Sequence, residues 1–157
     1  MVTRWIIRLV TIISVLLLGA FADAQTQSGA GSSSGGSSTS SSGGGGTRSF
    51  TVRARGVAGG ESITLRVNSQ NVQTWTLGTA MTNYTASTTL SGGITVAYTN
   101  DATGRDVQVD YIIVNGSTRQ SEAQSFNSGL YANGRCGGGS NSEWMHCNGA
   151  IGYGNTP

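Results

Sequence analysis

From Phe50 onward the chain is built of short runs of Val, Ile, Thr and aromatic residues, each closed by Gly, Asn or Ser. Antiparallel strands joined by tight turns carry this signature, because β-branched side chains suit a pleated, half-buried surface and the small residues suit turns. "SFTVRARGV" sets Phe50, Val52 and Ala54 against Thr51, Arg53 and Arg55, which is the period of a half-buried strand. "GGESITLRVNSQNVQTWTL" reads as a hairpin, Ser62 to Val67 and Val72 to Leu77, turning at Asn68 to Asn71. "TNYTASTTL", "GGITVAYTN" and "RDVQVDYIIVNG" supply three more strands, the last ending in an Asn115-Gly116 turn, and "RQSEAQSFN" the next. Outside the first residues no segment holds a 3.6-residue apolar period. The expected fold is therefore all-β, a sandwich or barrel.

The residues before this region divide in two. Arg4 and Arg8 precede an apolar run from Leu9 to Leu18, and Ala22-Asp23-Ala24 has the form of a cleavage site, so residues 1–24 read as a secretory signal peptide. Residues 25–48 are almost wholly Ser, Gly and Thr, with no apolar side chain large enough to offset the entropy of ordering them, and read as a flexible linker. The linker fits a tether to a surface or partner, or a remnant of a larger modular protein. The folded domain is expected over residues 49–157, a secreted monomer with no membrane attachment once the leader is cleaved.

The nine basic residues are all arginine. Without Arg4, Arg8 and Asp23 there remain seven arginines and six acids, scattered rather than striped, which argues against a nucleic-acid partner. Cys136 and Cys147, alone in an exported domain, are expected to pair as a disulfide that staples a long Gly-rich loop after Asn127. A transition-metal site at His146 and Cys147 would need further ligands that the chain does not offer.

Four of the six remaining acids, Asp101, Asp106, Asp110 and Glu122, fall within one stretch of a chain that is only 10% charged. On a regular strand over 105–114, Val107, Val109, Tyr111 and Ile113 face one way and Asp106, Gln108, Asp110 and Ile112 the other. Asp101 folds back across the "ATGR" turn, and Glu122 approaches across the hairpin at Asn115-Gly116. Crowded carboxylates repel unless one is protonated or a cation lies between them. Calcium, which takes carboxylate, amide and carbonyl oxygens, answers that conflict. "DATGRD" lacks the further ligands of an EF-hand loop. A small secreted glycoside hydrolase could use the same acids as a catalytic pair, but the domain is small for a cleft and the single histidine leaves no Ser-His-Asp arrangement. A structural or adhesive surface protein stabilised by calcium is the other alternative.

The stretches "TVRARGVAGGESITLRVN", "TWTL", "NYTAS", "NDATGRDVQVDYIIVNGSTRQ" and "SNSEWMHCNGAIGYG" closely resemble carbohydrate-binding module family 60, the calcium-dependent xylan-binding modules of secreted plant cell-wall hydrolases, across residues 50 to 155. The resemblance implies a jelly-roll β-sandwich, related to family 36 by circular permutation, with no catalytic activity. It implies that a protein-held calcium coordinates O2 and O3 of one sugar in a polysaccharide: xylan, with galactan or β-glucan as further candidates. By the same resemblance Asp101, Asp106 and the backbone carbonyl of Arg105 hold that ion, and Asp110, Glu122 and Gln124 hold a structural calcium. Tyr131 stands where family members tend to carry an exposed Trp, so it is the expected stacking platform, ahead of Trp144, which is expected to lie under the loop. Trp75 is expected in the core, and Glu143 and His146 in supporting roles within the loop.

Overall fold

The structure, a computed structural model, describes residues 45–157. The residues read as a signal peptide, and nearly all of those read as a linker, lie outside the described residues. Eleven strands follow in order: β1 (Arg48–Gly56), β2 (Ser62–Val67), β3 (Gln70–Thr76), β4 (Thr82–Thr88), β5 (Gly93–Tyr98), β6 (Val107–Val114), β7 (Ser117–Gln120), β8 (Tyr131–Ala132), β9 (Arg135–Cys136), β10 (Trp144–Met145) and β11 (Gly149–Asn155). No helix occurs among the described residues.

Two antiparallel sheets face each other in a jelly-roll β-sandwich. One runs β10-β6-β1-β4, with β7 sharing β6's outer edge, and the other runs β11-β5-β2-β3. Chain and sheet order differ because successive strands repeatedly cross between the layers. The alternation in the sequence explains the core: Phe50, Val52 and Ala54 of β1 and Ile63, Leu65 and Val67 of β2 are buried and meet Ile94, Val96 and Tyr98 of β5 between the sheets. Trp75 lies at the open side rather than deep in the core, tilted against Tyr84 with ring centroids 5.8 Å apart, so the edges β3 and β4 are closed by an aromatic pair.

Three departures from the sequence reading have local causes. The β2–β3 hairpin turns on two residues, not four: Asn68 and Ser69 both have positive φ, which matches the twist of the flanking strands and lets β3 start at Gln70. The strand expected over 119–127 ends at Gln120, where Gln124 donates its backbone N–H to Ser121 O and closes a turn. Glu122 therefore sits in a turn. Most consequential, β6 does not alternate regularly. Arg53 of β1 pairs with Tyr111 and Ala54 with Val109, so Asp110 is an extra residue, a β-bulge. Before it Val107 and Val109 are buried; after it Ile112 and Val114 are, and Tyr111 and Ile113 turn outward. The single face expected for Val107, Val109, Tyr111 and Ile113 is thus split at the bulge, and Ile112 takes the buried place instead.

Candidate calcium and sugar site

The loop between β5 and β6 carries Asp101, Arg105 and Asp106. Gly104, at φ +77°, allows the tight turn in which Arg105 donates its backbone N–H to Ala102 O at 2.9 Å. Tyr98, at the end of β5, donates its hydroxyl to the Arg105 carbonyl at 3.0 Å and fixes that carbonyl from below. Burial pushes the Tyr98 phenol up to about 12, with the carboxylates of Asp101, Glu61 and Asp106 adding to the shift and Arg105 opposing it. Three acids therefore bear on one phenol. The carboxylates of Asp101 and Asp106 form no hydrogen bond or ion pair with any described residue.

The other expected group gathers around a second tyrosine. Asp110 accepts from Arg53 Nε at 2.9 Å, the one ion pair among the described residues, while its backbone carbonyl takes the Ser121 N–H. Ser121 and Tyr153 share a hydrogen bond of 2.6 Å between their hydroxyls. Burial pushes the Tyr153 phenol up and this hydrogen bond pulls it back, while Glu122, Asp110 and Glu143 raise it further. Gln124 spends its amide N–H on Gln120 O, which leaves its side-chain oxygen free. The acids thus fall into two groups, Asp101 and Asp106 at Tyr98, and Asp110 and Glu122 at Tyr153. Among the described residues no three His, Cys, Asp or Glu side chains group closely enough to hold a metal by side chains alone. Backbone and amide oxygens have to complete either shell.

Behind the first group lies the long loop. Cys136 and Cys147 form the disulfide, with Cα atoms 6.1 Å apart. Asn148, next to Cys147, accepts the Asp101 N–H on its side-chain oxygen at 2.9 Å and so ties the loop to the acidic turn. Asn127 pins the loop from inside, donating to the Ser142 and Trp144 carbonyls and accepting from the Gly129 and Leu130 N–H groups. Within it β8 and β9 form a small hairpin on an Asn133-Gly134 turn, both with positive φ.

Tyr131, on β8, is 55% exposed, and its backbone N–H is held by His146 Nδ1 at 3.3 Å. Trp144 is half-buried between Arg55, 5.7 Å from its ring centroid, and the His146 ring, stacked at 6.1 Å. With Arg55 and His146 packed on its ring, Trp144 is less accessible than Tyr131, which is an exposed ring on the long loop; Phe126, 54% exposed, is an exposed ring too. Glu143 accepts from Gln108 Nε2 at 2.6 Å. Beside this loop an open groove of about 480 Å³ is lined by residues that include Arg66, Thr99, Ser128 and Asn148. If Tyr131 is the stacking platform that the resemblance implies, replacing it with Ala should lower sugar affinity about two- to tenfold, in keeping with the roughly 0.5–1.5 kcal/mol of an aromatic contact, and leave the melting temperature unchanged; isothermal titration with a xylo-oligosaccharide and a thermal melt check both.

Sequence reasoning missed three participants. Glu61, Tyr98 and Asn148 lie outside the acidic run, and nothing in their immediate neighbours marks them. The spacing of "TNDATGRD" brought Asp101 and Asp106 to one turn, but neighbours brought in from other strands are set by the fold.

A small sandwich with unpaired acids on one loop, tied by a hydrogen bond to a disulfide-stapled loop that carries an exposed tyrosine, has the build of a carbohydrate-binding module. Comparison with known proteins makes the class specific. Residues 49–128 match the family described as a Ca-dependent carbohydrate-binding module, xylan-binding. The chain belongs to carbohydrate-binding module family 60. It is similar to the solved structure of vCBM60 in complex with galactobiose, at 68% identity and a TM-score of 0.68, over 69% of this chain and 99% of that one. A second vCBM60 structure, a selenomethionine form, matches at the same identity and TM-score over 91% of its length. Among curated proteins of Cellvibrio japonicus, the endo-1,4-β-xylanase Xyn11B is 72% identical over 104 residues, which is 66% of this chain and 29% of the relative. A bifunctional xylanase/xylan deacetylase is 63% identical over 106 residues, 68% of this chain and 16% of the relative. The chain thus spans less than a third of either relative, and the matched part is a non-catalytic binding domain.

The residues present fit the ion that the family description implies. The β5–β6 loop offers oxygen donors, two unengaged carboxylates and the Arg105 carbonyl, which suit a hard cation such as calcium.

Proposed function

We propose that this chain is a secreted module that binds xylan, and more widely plant cell-wall polysaccharides with neighbouring equatorial hydroxyls, in a calcium-dependent way and without catalysing a reaction. The observation that carries the reading is that Asp101 and Asp106, on one tight loop with the Arg105 carbonyl, have carboxylates left without hydrogen-bond or ion-pair partners among the described residues. Carboxylates gathered in one short loop repel unless a cation or proton offsets their charge, and a cation would supply the partner that the described residues do not.

Asp101, Asp106 and the Arg105 carbonyl would hold the ion. A bound calcium would supply open coordination positions for O2 and O3 of one sugar, which neutral protein donors bind only weakly. The protein does the rest. Tyr98 keeps the Arg105 carbonyl oriented, Asn148 holds the backbone of Asp101, and Tyr131 offers a ring to the apolar face of a pyranose. Asp110, Glu122 and the side-chain oxygen of Gln124 are proposed to hold a second, structural calcium, with Asp110 braced by Arg53. The galactobiose bound to vCBM60 supports galactans as ligands beside xylan. Secretion is supported by the leader-like residues 1–24 and by the xylanase relatives.

The test is affinity electrophoresis in gels containing xylan, with calcium and with EDTA. Retention should disappear in EDTA and return when calcium is restored. Retention that survives complete calcium removal would sink the mechanism, and no retention in either gel would favour a calcium-stabilised structural or adhesive protein. A hydrolase would instead release soluble sugar from xylan.

A further inference from the structure

Glu61 is wholly buried, and one of its carboxylate oxygens, Oε2, has no hydrogen-bond partner. The other, Oε1, accepts the Ala58 N–H at 2.7 Å across the turn between β1 and β2. No arginine pairs with it: the one ion pair among the described residues belongs to Arg53 and Asp110. An ionised carboxylate removed from water and given a single hydrogen bond is among the costliest groups a fold can carry, and such groups are found paired or bound to metal.

We propose that Glu61 is a ligand for a hard divalent cation of the calcium class, seated at the end of the sandwich behind Asp106. Its surroundings are built for that. The free oxygen lies against the Cα of Gly56, so closely that any side chain at residue 56 would occupy its place. Gly56 pairs with Val107, the neighbour of Asp106, and the next residue, Val57, donates its N–H to the Asp106 carbonyl at 3.0 Å. Glu61 is thus packed against the backbone that pairs with the start of β6, next to Asp106. The turn that carries it is clamped to the acidic loop by Asn100, which donates to Gly60 O at 2.9 Å and accepts the Ser62 N–H at 2.6 Å. Leu77 donates its N–H to the Glu61 carbonyl, and Gly60 donates to Leu77 O, so the backbone that carries the carboxylate is fixed on both sides. A rigid cradle with a glycine cleared beside one free anionic oxygen favours an ion that takes oxygen ligands at about 2.3 to 2.6 Å.

The inference rests on the calcium-dependent reading above, and its test separates the two. Glu61→Gln keeps the shape and the acceptor for Ala58 N–H but removes the charge. Wild type and variant are compared by equilibrium dialysis with radioactive calcium, by melting temperature across a calcium titration, and by retention in xylan gels. The expected result is that Glu61→Gln binds calcium at least about tenfold more weakly at one site and loses much of the calcium-induced rise in melting temperature. If wild type binds calcium and is retained on xylan only with calcium, but Glu61→Gln gives the same dialysis curve and the same thermal response, the inference fails and the reading of the sugar site stands. If wild type itself binds no calcium, both fail. Should Glu61→Gln not fold, Glu61→Asp keeps the charge and shortens the reach; the inference then requires its thermal response to move to higher calcium, and an unchanged midpoint overturns it.

Discussion

Replacing Asp106 with Ala abolishes retention on xylan while the protein still melts cooperatively: this is the largest effect expected of any substitution at the site. The two outcomes separate because the Asp106 carboxylate contributes no hydrogen bond or ion pair to the described fold. What the fold uses is the Asp106 carbonyl, which takes the Val57 N–H and is untouched by the substitution. If the carboxylate is one of two that hold the ion, its loss removes half the fixed anionic charge of the shell, and affinity should fall by at least about 100-fold, or roughly 2.7 kcal/mol. Isothermal titration with xylohexaose in excess calcium measures it, and circular dichroism checks the fold. A variant that binds within threefold of wild type would remove Asp106 from the site. One that unfolds would mean that the acids of the two groups have been divided wrongly.

The second large effect is on stability. Gly149 opens β11 opposite Tyr98, and a Cβ there would stand 2.4 Å from the Gly129 N, 2.5 Å from its Cα and 2.6 Å from the Ser128 carbonyl carbon. All three obstructing atoms are main chain, so no rotamer change relieves the overlap. The segment they belong to is also held in place, because Ser128 donates its N–H to Ala150 O and Gly129 O accepts from both His146 and Cys147. Gly149→Ala should therefore cost about 3 kcal/mol, the upper part of the usual range for overpacking, and lower the melting temperature by about 10–15 °C in a domain of this size. Differential scanning calorimetry at fixed calcium gives the value. A shift under 2 °C would mean that the crossing of 128–129 over β11 is looser than described. Because that crossing carries the loop with Tyr131, sugar affinity should fall as well, in contrast with Asp106→Ala, which leaves the melt intact.

How much of this could be read in the chain depends on how local the cause is. β1, β2 and β4 to β6 were legible because a period of two is imposed by the strand itself, and Asn115-Gly116 because its positive φ values are a property of those two residues. The bulge at Asp110 was not, since whether a residue is left over depends on the register chosen by β1, and "VQVDYIIV" carries no mark of it. The end of β7 at Gln120 was missed for a related reason: "RQSEAQSFN" has strand-like composition, but the Ser121 N–H goes to the Asp110 carbonyl exposed by that bulge. In the site, the grouping of Asp101 with Asp106 follows from their spacing about Gly104. Glu61 is close in space only because Gly56 leaves room for it, a relation between two strands that no single segment records.

Asn148 is joined to Cys147 by one peptide bond, and it holds the backbone of Asp101. The cross-link and the anchor of a proposed ion ligand are therefore neighbours in the chain, and strain or slack in one is felt by the other. If Asp101 holds the ion as proposed, sulfur oxidation and cation affinity are linked quantities: whatever factor the closed disulfide adds to calcium binding, bound calcium must add to the stability of the disulfide. A chain still carrying free thiols would be a poorer sugar binder than the same chain after oxidation, so the module would acquire its grip on the polysaccharide where disulfides form.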